Sequence, residues 1–172
     1  MSEVLAAFPG ARRALFRRYH LGGCSSCGFE LSETLAQLCA RSGPLDEGEV
    51  LAHIRASHEQ DSQMEMAPRE LAGRQQRGEA VKLLDIRTRD EWEATRLPGA
   101  EFVNQELVQS LLSHCPRDTW IVFYDHAGRQ SLDAAAYFAG HGFPNAKFLR
   151  GGIDAWSQEV DPKIPRYRLE PT

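Results

Sequence analysis

The spacing of apolar residues changes along the chain. In the predicted helix 11–19, Leu15, Phe16 and Tyr19 fall on one side, and within 32–41 Leu35, Leu38 and Cys39 do the same. A third helix is predicted over 46–57. There Asp46 followed by Glu49 is an acidic form of the capping box, and Val50, Leu51 and Ile54 supply a buried side. Residues 57–63 are polar throughout without a hydrophobic period, which reads as a linker. Beyond them short β-type runs at 82–86, 101–103, 120–124 and 147–149 are separated by helical stretches at 69–77, 90–94, 106–113, 131–140 and 153–159. Strand, helix, strand in repetition implies right-handed crossovers and a parallel sheet covered on both faces. The expected fold class is α/β, with a small all-helical N-terminal domain at 1–57, a linker at 58–64, the α/β domain at 65–160 and a C-terminal tail at 161–172. In parallel sheets ligands bind beyond the carboxyl ends of the strands, so the loop after Tyr124 is the first candidate site.

Composition narrows the class without naming a function. The 172 residues carry 20 Lys plus Arg against 24 Asp plus Glu, a net charge of −4, with 42% hydrophobic residues, as in a soluble globular protein. The longest apolar runs fall far short of the ~20 residues that span a bilayer, and the N-terminus lacks the layout of a signal peptide. A cytoplasmic, bacterial-type protein is expected, with no membrane partner. Its 4 Cys then read as thiols, metal ligands or redox groups rather than structural bridges. Arg12, Arg13, Arg17 and Arg18 spread around their helix instead of forming a stripe, and the chain is acidic, which argues against a nucleic-acid partner.

The loop Asp125-His126-Ala127-Gly128-Arg129-Gln130-Ser131 joins a buried strand to a helix. Backbone N–H groups and the positive helix end converge in such a loop and make a cradle for an anion. Three further segments give this loop a context: Asp85-Ile86-Arg87-Thr88-Arg89-Asp90-Glu91-Trp92, Leu97-Pro98-Gly99-Ala100 and Gly151-Gly152-Ile153-Asp154-Ala155-Trp156. In this order they resemble the motifs of a single rhodanese domain over about residues 65–160. The resemblance implies a sulfurtransferase-like fold in which the loop begins with a cysteine that carries sulfur as a persulfide. Here Asp125 stands at that position. Thr95-Arg96 replaces the family's Gly-His, and Gln130 replaces its usual loop arginine.

A persulfide requires a polarisable thiolate, which a carboxylate cannot supply. Thiosulfate sulfurtransferase activity of this domain is therefore expected to be absent, with Asp125 filling the anion cradle itself. Two other readings of Asp125 are simple capping of the next helix and a nucleophile of the phosphoryl-transfer kind, which needs a metal-binding set of carboxylates that the nearby sequence lacks. Cys115 precedes Pro116 in the turn before the strand, at the far end from the loop, and reads as structural.

Cys24 and Cys27 in Gly22-Gly23-Cys24-Ser25-Ser26-Cys27-Gly28 are the redox candidates: two thiols three residues apart beside a helix start can form a reducible disulfide. Through 19–24 and 33–36 the segment resembles small helical redox-disulfide domains associated with hybrid-cluster proteins. Three readings stay open: a redox or sulfur-carrying dithiol, which needs no cofactor; half of an iron-sulfur or zinc site, completed in a homodimer; and an inert pair. Cys39 fits the apolar side of its helix, leaving His20 and His53 as weak further ligands. The sequence thus points to sulfur or thiol-redox handling through Cys24/Cys27, with a protein partner of the thiol or sulfur-carrier kind, and leaves a non-enzymatic adapter as the alternative.

Overall fold

Local sequence sets the ends of most elements in the computed structural model, which describes residues 1–22, 28–43 and 45–167. The chain forms two compact units, Met1–Gln63 and Met64–Thr172. The first holds helices α1 (Ser2–Ala7), α2 (Ala11–Tyr19), α3 (Leu35–Arg41) and α4 (Glu47–Ser62). α3 starts three residues later than the pattern suggests, because Thr34 and Gln37 form a reciprocal capping box. α4 starts where expected, its Glu49 N–H donating to the Asp46 side chain at 2.8 Å.

Two expectations for this unit are corrected. Phe16 does not share the buried side of α2: it is 48% exposed, while Ala11, Ala14 and Leu15 pack inward against Leu38, Val50 and Ile54. Nor are residues 58–62 a linker, since α4 continues to Ser62. Glu59 and Gln60 are good helix formers, and the buried Asp61 on the same turn pairs with Arg13 of α2. A polar run without an apolar period therefore extends the helix because a buried ion pair takes the place of an apolar contact.

The second unit contains β1 (Glu65–Met66), α5 (Pro68–Gln76), β2 (Val81–Asp85), α6 (Arg89–Ala94), β3 (Ala100–Phe102), α7 (Gln105–His114), β4 (Trp120–Tyr124), α8 (Gln130–Gly140), β5 (Ala146–Leu149) and α9 (Gly152–Glu159). Its strands form one parallel sheet in the order β1-β5-β4-β2-β3. β4 is central and apolar along its length, as a strand covered on both faces requires. Val122 and Tyr124 face Leu71 of α5 and Ile153 and Trp156 of α9. Ile121 and Phe123 face Leu111 of α7 and Ala135 and Phe138 of α8. The register places Asp85 of β2 opposite Tyr124 of β4, so both strands end together beside the loop at 125–131. β1, with two residues, carries no readable period; its place follows from parallel pairing of Met66 with Leu149. Among the described residues no helix is long and apolar enough to cross a membrane.

Candidate functional site: the loop between β4 and α8

Beyond Tyr124 the backbone turns so that three successive amides face one side chain. The Asp125 carboxylate accepts hydrogen bonds from the N–H groups of Gly128 at 2.5 Å, Arg129 at 3.1 Å and Gln130 at 2.7 Å, and from the Ser131 hydroxyl at 3.0 Å. Asp125 and Ser131 are buried, while Ala127, Arg129 and Gln130 are exposed. The N-cap position of α8 belongs to Arg129, four residues after Asp125. The carboxylate therefore lies across the loop, ligating its donors as a bound anion would, and also takes the first helical amide.

Glycines allow the loop to lie against the start of α9. A Cβ on Gly152 would sit 2.3 Å from the Asp125 carbonyl oxygen and 2.5 Å from that of His126, and its φ of +59° is left-handed. These same two carbonyls accept hydrogen bonds from Ile153 N–H at 3.0 Å and Asp154 N–H at 3.2 Å. Gly152 is thus a steric requirement of the loop's seat.

The wall on the β2 side is a buried ion pair. Arg87 Nη2 donates to Asp85 at 2.5 Å and to the Thr95 carbonyl at 2.6 Å, and Arg87 Nη1 donates to the Tyr167 hydroxyl at 2.7 Å. Burial draws the Arg87 guanidinium down, but its bonds to Asp85 and Tyr167 outweigh this, and the net direction is up. Burial, with Asp85 alongside, pushes the Tyr124 phenol well above its ordinary value, while its oxygen accepts the Leu97 N–H at 3.2 Å. Neither group titrates near neutral pH; they form a rigid wall rather than an acid–base pair.

The sequence reading missed the opposite wall. Residues 161–167 are not a free tail: Ile164 is buried, Arg166 pairs with Asp154 at 2.6 Å, and the Tyr167 hydroxyl donates to Glu91 at 2.7 Å. Burial raises the Glu91 carboxyl, but donation from Tyr167 and Thr88 prevails and holds it below the ordinary carboxylate range. No periodicity in these residues could have announced contacts with partners 76 and 80 positions away.

Residues 128–131 converge on the Asp125 carboxylate through three amides and a hydroxyl. Cys24 and Cys27 lie outside the described residues. Cys39 is 2% exposed in the helical core, where burial, with Glu47 and Asp46 adding to it, pushes the thiol up and away from reactivity. Cys115 caps the C-terminus of α7, its Sγ 3.4 Å from Thr119 Oγ1, in the turn that precedes β4. The Nε2 of His53 lies 3.1 Å from the Ala14 carbonyl and so engages backbone. Among the described residues no group of three or more His, Cys, Asp or Glu is placed to hold a metal ion.

A parallel sheet ending in a loop whose amides converge on a buried carboxylate, seated against a paired glycine turn, defines the α/β domain. The rhodanese-like domain model matches residues 67–159, and the chain belongs to that family. It is 33% identical over 104 residues to the probable adenylyltransferase/sulfurtransferase MoeZ of Mycobacterium tuberculosis, covering 59% of this chain and 26% of that protein. The chain therefore spans about a quarter of MoeZ. It is 35% identical over 86 residues to a sulfurtransferase of Allochromatium vinosum, covering 50% of this chain and 80% of that protein. Among solved structures, the rhodanese-like domain of the Anabaena protein Alr3790 aligns with a TM-score of 0.50 at 25% identity, over 56% of this chain and 75% of that one.

Proposed function

We propose that this chain handles sulfur or thiol redox without sulfur transfer by its own rhodanese loop. In this reading the α/β domain binds or positions a protein partner of the thiol or sulfur-carrier kind, and the Cys24/Cys27 pair carries the thiol chemistry. One observation carries the first part: the Asp125 carboxylate takes the three amides and the hydroxyl that an incoming anion needs. Transfer from thiosulfate requires a thiolate to attack the outer sulfur, forming a new S–S bond as the old one breaks and sulfite departs. No cysteine stands in 125–131 to make that attack, and a negative carboxylate in the cradle repels the donor. The sulfurtransferase names of the relatives support sulfur handling as the setting.

Two measurements test the parts separately. In Asp125→Cys the amides are freed and a thiol stands among them; with thiosulfate this variant gains one sulfur atom by intact mass, whereas the unaltered loop does not. An unaltered protein that gains sulfur on a peptide of the α/β domain contradicts the reading. Thiol titration before and after reductant reports Cys24/Cys27, and the redox-dependent change disappears in Cys24→Ser; its persistence there removes the pair from the account.

A further inference from the structure

We propose that residues 164–167 are a strap across the mouth of the loop, occupying a surface that recognises a polypeptide segment with a basic residue next to an aromatic one. The proposal rests on the α/β domain being a binding domain, and it concerns which surface binds.

The strap has an anchor and a latch. Ile164 is buried in the core with Met66, Leu71 and Trp156, and its carbonyl accepts from the buried Ser157 hydroxyl at 2.6 Å. Arg166 reaches from this anchor to both Asp154 oxygens, at 2.6 and 3.1 Å. The Tyr167 ring lies on the His126 imidazole, with centroids 4.6 Å apart, and its hydroxyl bridges Arg87 and Glu91, each at 2.7 Å. A cavity of about 320 Å³ remains, lined by His126, Asp154, Arg166 and Tyr167.

The two parts differ in strength. The anchor is apolar and enclosed, whereas the Arg166 side chain is 56% exposed, so its ion pair is weak and screened by salt. Local opening therefore begins at the latch while Ile164 stays in place. Lifting Arg166 and Tyr167 frees the Asp154 carboxylate and the two groups, on Arg87 and Glu91, that hold the Tyr167 hydroxyl, and uncovers the His126 ring against which Tyr167 packs. A partner segment of the same chemistry replaces the strap there, next to the Asp125 loop.

The test is the reactivity of His126 toward diethyl pyrocarbonate, read on its own peptide by mass. In the full chain with Arg166→Ala and Tyr167→Ala the rate rises about tenfold, as for loss of a local closure worth about 1.4 kcal/mol. Adding a synthetic peptide with the sequence of residues 161–167 lowers it again. Tyr167→Phe, which keeps the ring and loses only the bridging hydroxyl, gives a smaller rise and serves if the double variant does not fold. Unchanged His126 reactivity in the folded variants overturns the strap, and failure of the peptide to protect overturns the recognition surface. Neither result depends on sulfur chemistry, so sulfur transfer by the unaltered loop would defeat the reading of Asp125 and leave the strap standing.

Discussion

Asp125 accepts four hydrogen bonds from its own loop, and its removal leaves three amides and a hydroxyl without their acceptor. Asp125→Ala should cost about 1–3 kcal/mol in chemical denaturation, less where water enters the partly exposed loop. Gly152→Ala is expected to cost a similar amount, roughly 1–3 kcal/mol, by a different route: a methyl group driven into the carbonyls of residues 125 and 126. Faster amide exchange at 128–130 in Gly152→Ala would mark the loop as the part displaced. Asp85 is wholly buried and paired, so Asp85→Ala leaves the Arg87 charge uncompensated and should cost about 3–5 kcal/mol by the same measurement. An Asp85→Ala protein as stable as the parent would mean that Arg87 finds other acceptors.

The segment 164–167 carries a pH signature. Burial, with Glu91 adding to it and Arg87 opposing, pushes the Tyr167 phenol up to about 12. The folded value lies above the ordinary one of about 10, so the contribution of Tyr167 is whole below pH 10 and lost as pH rises toward 12. Tyrosinate absorbance should show a step near the upper value that is missing in Tyr167→Phe. A step already complete near the ordinary value would place the ring in water. This segment also shows where reading from sequence stops. β4 was legible over its full length because five apolar residues in a row admit few other placements, and the 125–131 loop followed from its position after that strand. Loop composition and position suggested only a cradle of amides; a carboxylate standing in it was suggested by the resemblance to the rhodanese family, which puts a sulfur-carrying cysteine where Asp125 stands. α4 beyond Ser57, β1 and the strap were not: each is decided by a partner distant in sequence, through an ion pair, a parallel register or a phenol bridge.

Each of the two compact units has its own buried core, one built by Leu15, Leu38 and Ile54 and the other on the two faces of the sheet. The fragment 64–172 is therefore expected to unfold cooperatively by itself, and a fragment without a cooperative transition would show that its core needs the helical unit. In the proposed function the two units divide the labour: an α/β domain of the rhodanese-like family whose loop is filled by its own carboxylate, and a helical unit that carries Cys24 and Cys27 in its sequence. The most direct test of that division is thiocyanate formation from thiosulfate and cyanide by the unaltered full-length protein. No turnover above the protein-free reaction is expected; steady turnover that is unaffected by Cys24→Ser and Cys27→Ser would contradict this division.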